Sequence, residues 1–237
     1  MPRQVTAFSN TTVKRLRSLR DKKGRRAERL FLAEGLRIIA ATESAGGEAI
    51  ETTREILAKM SGKDNPQMLL GAYRQPDTRL DGLDRSTSPI WIVAQALRDP
   101  GNIGTILRTG DAVGAGGLIL IDDCADPFSV EAVRASMGAV FTQSIAAANW
   151  ADFLVWLHFE ESQLVGTSLK ATTDYLDAYY DAPCFLLIGN EQQGLPESYE
   201  AECDLLVKIP MAGRADSLNA AVAAAVMSFA IRASWRN

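Results

Sequence analysis

Cysteine and long apolar runs are both scarce in this 237-residue chain. The three cysteines, Cys124, Cys184 and Cys203, are too few and too scattered for a disulfide framework or a zinc site, so we expect reduced thiols in the core. No stretch approaches the roughly 18 uncharged apolar residues of a membrane span. The N-terminus also lacks the apolar core of a signal peptide. We therefore expect a cytoplasmic protein with neither a membrane nor a metal among its partners.

A glycine-rich G-x-G-x-x-G loop is also absent, which counts against a dinucleotide-binding enzyme. The composition, 47% hydrophobic and 23% charged residues, is that of an ordinary globular protein with a packed core. A chain of this length can hold one large domain, or one medium domain and one small domain.

Positive charge is concentrated at the N-terminal end of the chain. Residues 1–37 contain eleven lysines and arginines against three acidic residues, whereas the whole chain has a net charge of −4. The net charge is thus +8 over these residues and −12 over the remainder. A basic arm on an acidic body is typical of proteins that bind an anionic polymer, with RNA or DNA as the leading candidate. A solvated charged helix is the alternative explanation.

The first eighty residues have the pattern of a small α/β unit. Apolar residues at Val13, Leu16 and Leu19 indicate one face of a basic helix. The predicted elements are, in chain order, this helix at 10–20, an exposed loop at 21–26, a strand at 31–35, a helix at 36–41, a helix at 53–60 capped by Thr52 or Thr53, and a strand at 68–73. Residues 75–89 have the composition of a linker.

Short apolar runs predict a parallel sheet in the rest of the chain, because strands buried on both faces are apolar throughout. The predicted strands are residues 90–94, 117–121, 144–146, 164–167, 184–188 and 205–210. The predicted helices are residues 102–113, capped by Asn102, then 127–136, 153–157 and an alanine-rich helix after Ser217. Polar loops follow several of these strands, and ligand sites of α/β proteins lie at strand ends of this kind.

Two short motifs follow the strands at 90–94 and 184–188, and a third begins at the end of the strand at 205–210. They are Asn102-Ile103-Gly104 with Arg108-Thr109, then Gly189-Asn190-Glu191 with Gly194-Leu195, then Ile209-Pro210-Met211 with Ser217-Leu218-Asn219. From spacing alone, Arg108 is a surface arginine and Ser217 is a helix cap. In this order, the motifs resemble the signatures of the SpoU (TrmH) family of RNA ribose methyltransferases. One position departs, since Ala221 stands where the family often has Ser or Thr.

The resemblance implies a fold and a reaction. The fold would be α/β, a parallel-sheet SPOUT methyltransferase domain with a trefoil knot, one of the rare exceptions to unknotted topology. The reaction would be methyl transfer from S-adenosylmethionine to a ribose 2′-hydroxyl of RNA. The residues implied for catalysis are Asn102, Arg108, Glu191, Ser217 and Asn219. Those implied for cofactor binding are Thr167, Leu187, Gly189, Ile209, Met211 and Leu218.

Chemistry refines two of these implied roles. A guanidinium stays protonated in proteins, so we expect Arg108 to orient the substrate, with Glu191 organising it, rather than to act as the general base. Gly189 is expected to let the backbone approach the ligand where a Cβ atom would collide with it.

The basic segment at residues 13–35 resembles the RNA substrate-binding domain that often precedes SpoU domains, a small α/β fold similar to RNA-binding ribosomal proteins. Residues 1–80 would form this domain, 81–89 a linker and 90–237 the methyltransferase domain. Between residues 47 and 51 the chain is shorter than that domain, so we expect an abbreviated version that lacks a strand. The residues expected to contact phosphates, which supply affinity rather than sequence choice, are Lys14, Arg15, Lys22, Lys23, Arg25 and Arg26.

The last helix carries an apolar stripe, formed by Leu218, Val222, Ala225 and Phe229. Such a stripe alone indicates core, but the resemblance implies that this helix helps to form a homodimer. Ribosomal RNA is the expected substrate and transfer RNA is the alternative. A catalytically silent RNA-binding relative and a base methyltransferase on the same scaffold are further alternatives.

Overall fold

The computed structural model describes residues 3–35, 50–66, 69–190 and 192–235. The predicted helix at 36–41 and the predicted catalytic residue Glu191 therefore lie outside the described residues. Within them, the secondary structure follows the sequence pattern closely, with a mixed N-terminal region and a parallel sheet after it.

The N-terminal region combines short strands and helices. Its elements are β1 (Arg3–Val5), α1 (Thr11–Ser18), α2 (Lys22–Glu28), β2 (Leu30–Glu34), β3 (Ile50–Thr52), α3 (Arg54–Ser61) and β4 (Leu70–Arg74). Strand β1 pairs with β3 in parallel, and β2 pairs with β4 in antiparallel fashion. Thr53 caps α3, as predicted, since its hydroxyl accepts from the Ile56 amide. Strand β3 occupies the place where the sequence pattern predicted that a strand is missing.

The predicted loop at residues 21–26 is wrong, because these residues begin helix α2. Gly24, within this helix, allows close packing. A Cβ atom at Gly24 would lie 2.0 Å from the carbonyl oxygen of Ser18 in the preceding helix α1. Only glycine fits this approach without a shift of the backbone, so the residue favours the contact between α1 and α2 rather than a turn.

The remaining residues build a parallel α/β unit. Its elements are β5 (Ile90–Gln95), α4 (Pro100–Val113), β6 (Gly117–Ile121), α5 (Val130–Ala135), β7 (Ser144–Ala148), α6 (Trp150–Leu157), β8 (Gln163–Thr167), β9 (Thr173–Asp174), β10 (Cys184–Ile188), α7 (Glu197–Glu200), β11 (Leu205–Lys208) and α8 (Ala220–Ser234). Short 3-10 turns occupy Leu80–Gly82, Arg85–Thr87 and Ala139–Phe141. The predicted strands are confirmed, whereas β9 and α7 had no counterpart among the predictions.

The sheet has the order β7-β6-β5-β10-β8-β11-β9, and every described pairing in it is parallel. Strands β5, β6 and β10 are buried along their whole length, as the apolar runs predicted. Strand β10, late in the chain, lies between β5 and β8 at the centre of the sheet. The predicted α/β fold with a parallel sheet is confirmed, and this strand order is consistent with the trefoil knot.

Two helix caps differ from the predicted ones. Helix α4 begins at Pro100, and Asp99 caps it by accepting from the Asn102 amide at 2.7 Å. Helix α8 is capped by Asn219 rather than by Ser217. In both cases a residue suited to capping lies two or three positions from the predicted cap, so the sequence allowed either start. The differences release the side chains of Asn102 and Ser217 for other contacts.

The N-terminal region packs directly on the sheet region. Phe31 of β2 contacts Phe128 and Phe141, with ring centroids 5.2 and 5.5 Å apart, and Tyr73 of β4 contacts Phe141 at 4.9 Å. The segment predicted as a linker is packed as well. Arg85 is buried and donates to the carbonyl oxygens of Trp156 and Leu157 at the end of α6. The segment is therefore anchored to the sheet region along its length.

Candidate active site

A pocket of about 340 Å³ lies at the carboxyl ends of β8, β10 and β11. Such a volume is within the range of about 300–1,000 Å³ that is typical of small-molecule sites. Its floor is formed by the last residues of these strands, and its walls by the loops that follow them. The position agrees with the rule that α/β proteins bind ligands outside the carboxyl ends of their strands.

Five of the six residues predicted to bind a cofactor line this pocket: Thr167, Gly189, Ile209, Met211 and Leu218. Leu187 does not, because its side chain points into the core and is fully buried. Its carbonyl oxygen accepts from the Thr167 hydroxyl at 3.5 Å, and the next residue, Ile188, lines the pocket. Neighbouring side chains of a strand point to opposite faces of the sheet. This alternation explains why Ile188 lines the pocket and the predicted Leu187 does not.

Gly189 also permits a close approach within the chain itself. A Cβ atom there would lie 2.4 Å from the carbonyl carbon of Gly194, so the glycine permits the loop to fold back on itself. The Asn190 carbonyl oxygen accepts from the Gly194 amide at 2.8 Å and closes this loop. Gly194 itself has a φ of +69°, a conformation that favours glycine. Both glycines of the second motif thus shape the pocket wall.

Asn190 has a positioning role that the sequence analysis did not assign. Its Nδ2 atom donates to the Ala96 carbonyl oxygen at 2.9 Å, and its Oδ1 atom accepts from the Gln192 amide at 2.9 Å. Ala96 follows β5, whereas Asn190 follows β10, and these strands are neighbours. The only signal in the sequence was the place of Asn190 inside the second motif.

The first and third motifs meet beside the pocket. The Nδ2 atom of Asn219 donates to the Oδ1 atom of Asn102 at 3.0 Å. The Oδ1 atom of Asn219 accepts from the amides of Ala221 and Val222 at 2.9 and 3.3 Å, which makes it the cap of α8. One side chain therefore fixes the start of α8 and holds Asn102 in the first turn of α4. Ser217, two residues earlier, is exposed and lines the pocket.

Arg108 is exposed on α4, two turns after its start. It makes no ion pair or hydrogen bond with any other described residue. It does not line the pocket, so the structure does not bring it into the group formed by Asn102, Ser217 and Asn219 within one subunit. Its guanidinium is thus available to a partner outside the described residues.

The charged residues that line the pocket are of both signs. They are Glu200, Asp216, Lys170 and Lys208, and the ammonium group of Lys170 is paired with Glu197 at 3.0 Å. That hydrogen bond raises the pKa of Lys170 and lowers the pKa of Glu197. Burial raises the pKa of the Cys203 thiol to about 12, so it is protonated at neutral pH and does not supply a thiolate.

The predicted RNA-contacting residues divide into two groups. Lys14, Arg15, Lys22, Lys23 and Arg26 are exposed on α1 and α2, although Arg15 also pairs with Glu28 at 2.7 Å. Arg25 is buried, pairs with Asp126 at 2.7 Å and donates to the carbonyl oxygens of Leu19 and Arg20. The prediction is therefore wrong for Arg25, because a fully paired, buried guanidinium cannot reach a phosphate.

The described residues contain neither a cluster suited to a metal ion nor a helix suited to a membrane span. Residues 3–35, 50–66, 69–190 and 192–235 contain no group of three His, Cys, Asp or Glu side chains that could hold a metal ion. No helix in these residues is long and apolar enough to cross a membrane. The cysteines are free, with Cys184 buried and the other two half-buried.

A parallel sheet with a ligand-sized pocket at its carboxyl edge defines an α/β protein that binds a small molecule next to a polar cluster. The chain belongs to the SpoU rRNA Methylase family, whose model matches residues 89–229. A second model, the MRM3-like substrate binding domain, matches residues 10–46. The predicted family and the predicted class of enzyme, a methyltransferase, are thus confirmed.

Two relatives and one solved structure illustrate the similarity. The chain is 26% identical to the 23S rRNA (guanosine(2553)-2′-O)-methyltransferase RlmP of Bacillus subtilis, over 97% of this chain and 99% of that protein. It is 33% identical to the 23S rRNA (uridine(2479)-2′-O)-methyltransferase of Streptomyces viridochromogenes, over 78% and 67%. The crystal structure of an AdoMet-bound rRNA methyltransferase from Sinorhizobium meliloti superposes with a TM-score of 0.92 and 39% identity, over 98% and 97%.

Proposed function

We propose that the protein transfers a methyl group from S-adenosylmethionine to a ribose 2′-hydroxyl of ribosomal RNA. The observation that carries the proposal is that the second and third family motifs line one pocket and that Asn219 joins the first motif to them, through its hydrogen bond of 3.0 Å with Asn102. The relatives named above support ribosomal RNA as the substrate, since both are 23S rRNA 2′-O-methyltransferases.

The pocket fits S-adenosylmethionine by its chemistry. The cofactor has a planar adenine, two cationic centres, a sulfonium and an ammonium, and one carboxylate. Ile188, Ile209 and Leu218 provide apolar walls for the adenine, and Glu200, Asp216, Lys170 and Lys208 provide charges of both signs, as this cofactor requires. When bound, the cofactor supplies an activated methyl group.

Positioning is the main task that the chain's own residues perform in such a transfer. In our proposal Asn102, Ser217 and Asn219 hold the ribose next to the pocket, and Arg108 orients the RNA through its guanidinium fork. Glu191 belongs to the same set on the grounds of its motif. Thr167, Leu187, Gly189, Ile209, Met211 and Leu218 form the cofactor site, with Leu187 acting through its backbone.

The basic surface of α1 and α2 is proposed to bind RNA. Lys14, Arg15, Lys22, Lys23 and Arg26 are exposed there, and phosphate contacts of this kind supply affinity without sequence choice. The proposed domains remain residues 1–80, 81–89 as linker and 90–237. The close packing of Phe31 on Phe128 and Phe141 means that the two proposed domains share one core.

A homodimer in the cytoplasm is the proposed working form. Three residues of the predicted apolar stripe, Leu218 just before α8 and Val222 and Phe229 on it, are exposed at 36%, 47% and 52%. The opposite face of α8 packs in the core through Ala224, Met227 and Ile231. An exposed apolar stripe on a helix next to the pocket fits a second copy of the chain. It would also bring a second Arg108 toward the site.

The test uses unmodified ribosomal and transfer RNA, incubated with the protein and methyl-labelled S-adenosylmethionine and then digested with alkali. Alkali cuts RNA through a free 2′-hydroxyl, so a 2′-O-methyl group leaves labelled dinucleotides. Label in dinucleotides from ribosomal RNA is the expected result. Label in dinucleotides from transfer RNA alone would mean that transfer RNA, rather than ribosomal RNA, is the substrate. Label in mononucleotides would indicate base methylation. Cofactor binding without label in either RNA would indicate a silent relative.

A further inference from the structure

Two side chains tie the pocket wall at residues 192–200, and Asn190 before it, to the ends of β5 and β6. The first is Asn190, which lies in the second family motif and donates to the Ala96 carbonyl oxygen at 2.9 Å. The second is Tyr199 of α7, which lies in none of the three motifs. Its hydroxyl group donates to the Oδ2 atom of Asp122 at 2.8 Å, across 77 residues of sequence.

Asp122, at the carboxyl end of β6, is a fixed acceptor. Its φ is +62°, a left-handed conformation that costs a non-glycine residue roughly 1 kcal/mol. Its amide donates to the Ala148 carbonyl oxygen at 3.0 Å, which holds the backbone in place. Gln95, buried at the end of β5, donates to the same Oδ2 atom at 3.3 Å. The ends of β5, β6 and β7 therefore set the position of this carboxylate.

The ring of Tyr199 is held as firmly as its hydroxyl. It stacks on Trp150, the first residue of α6, with centroids 3.9 Å apart and planes at 8°. Burial, followed by the hydrogen bond with Asp122, raises the pKa of Tyr199 to about 12. The phenol is therefore protonated at neutral pH and acts as a donor to the carboxylate. Glu200, the next residue, lines the pocket.

We infer that Tyr199 is a positioning residue for the cofactor pocket, acting through Asp122. The inference rests on the proposed function, because it concerns the same pocket. The hydrogen bond holds the wall at residues 192–200 against the carboxyl end of β6, and Gln95 joins the same carboxylate to the end of β5, from which the chain continues into α4. Without the hydroxyl, the wall samples displaced positions. The cofactor then binds only those molecules in which the wall is in place. The apparent dissociation constant is the intrinsic one divided by the fraction of such molecules, so the apparent affinity falls.

The first test is binding of S-adenosylhomocysteine, measured by calorimetry. Tyr199→Phe removes the hydroxyl and keeps the stacked ring, so its dissociation constant is expected to rise roughly 5- to 50-fold. Tyr179→Phe is the matched control. Tyr179 is 79% exposed and is not part of the pocket, so this variant should bind as the wild type does.

A rescue variant separates positioning from general destabilisation. Asp122→Asn keeps an acceptor oxygen, and Asn tolerates a positive φ, so it should bind within about threefold of the wild type. In methyl transfer, Tyr199→Phe should raise the KM for S-adenosylmethionine and leave the KM for RNA and kcat at saturating cofactor unchanged.

Each other outcome has a distinct meaning. If Tyr199→Phe binds S-adenosylhomocysteine as tightly as the wild type does, the hydrogen bond does not contribute to cofactor binding, and the inference is overturned. Tyr199→Phe could instead also raise the KM for RNA and lower the melting temperature, with Asp122→Asn showing the same changes. This result would mean that the hydrogen bond has a general structural role, and it would overturn the inference as well. If the wild-type protein itself does not bind S-adenosylhomocysteine, the proposed function fails before any variant is compared.

Discussion

Asn219 and Asn102 are joined by a side-chain hydrogen bond of 3.0 Å across 117 residues of sequence. Asn219 is also the cap of α8, because its Oδ1 atom accepts from the Ala221 and Val222 amides. An asparagine can do both, since it carries an acceptor and a donor on one planar group. Serine and aspartate are equally good caps, but neither offers the amide donor. The residue type therefore follows from the two contacts together.

Two substitutions of Asn219 should separate the cap from the bridge. Asn219→Asp keeps an acceptor at the helix start and adds a favourable negative charge, so its stability should equal or exceed that of the wild type. It lacks the donor to Asn102, so methyl transfer should fall roughly tenfold or more. Asn219→Ala should lose activity and also about 1 kcal/mol of stability. Urea denaturation and initial rates measure the two effects. A fully active Asn219→Asp would show that the bridge is dispensable.

Arg108 should matter to transfer and not to cofactor binding. It is exposed and does not line the pocket, so Arg108→Ala should leave the dissociation constant of S-adenosylhomocysteine unchanged. The rate of methyl transfer should fall roughly 10²- to 10³-fold, as when one stabilising donor is removed from a reaction site. Arg108→Lys should recover little, because lysine lacks the planar fork.

The control for Arg108 is Arg79→Ala, which removes another exposed arginine, 72% exposed and paired with Asp77. This variant should keep wild-type rates. Equal loss of binding and transfer in Arg108→Ala would instead assign the arginine a structural role.

Neighbouring basic residues on α2 should behave differently when replaced. Arg25 is buried with Asp126, so Arg25→Met leaves a buried carboxylate unpaired and should cost about 3–5 kcal/mol of stability. Lys23 is exposed, so Lys23→Ala should keep the stability. It should weaken RNA binding at all sequences and reduce the salt slope by about 1. Denaturation and salt-dependent RNA binding measure both. Weaker RNA binding by a stable, folded Arg25→Met would contradict this division.

The difference between Arg25 and Lys23 illustrates what the sequence could and could not predict. Apolar runs predicted the strands of the sheet, because burial on both faces leaves a local signal. The motifs predicted the polar group beside the pocket, and five of six proposed cofactor residues line it. Whether a basic residue faces solvent or a carboxylate 101 positions away has no local signal. The same holds for Tyr199, whose partner Asp122 lies on another strand.

Alkaline pH should destabilise the protein through its buried thiols. Burial raises the pKa of Cys184 from 9.0 to about 12, so the folded state keeps a proton that the unfolded state loses between these values. Stability from this group is complete below about pH 9 and decreases as the pH rises toward 12, by up to about 1.4 kcal/mol per pH unit.

Urea denaturation at pH 8, 9 and 10 would measure this slope. Cys184→Ala should be less stable than the wild type at pH 8, because packing is lost, but its stability should decrease less steeply with pH. Equal slopes for the two proteins would mean that Cys184 does not contribute to the pH dependence.

The exposed stripe of α8 gives a prediction about assembly. Phe229 is 52% exposed beside Val222, so Phe229→Asp removes no core contact, and the folded monomer should keep its stability. A charge buried in a helix–helix interface is costly, so we expect the wild type to be dimeric and the variant to be monomeric at the same micromolar concentration. Phe159→Asp is the control, since Phe159 is 84% exposed on a different surface, after α6. Sedimentation equilibrium distinguishes the species. If Phe229→Asp remains dimeric, or if the wild type is monomeric, the stripe is not the dimer interface, and a second Arg108 does not reach the site by this route.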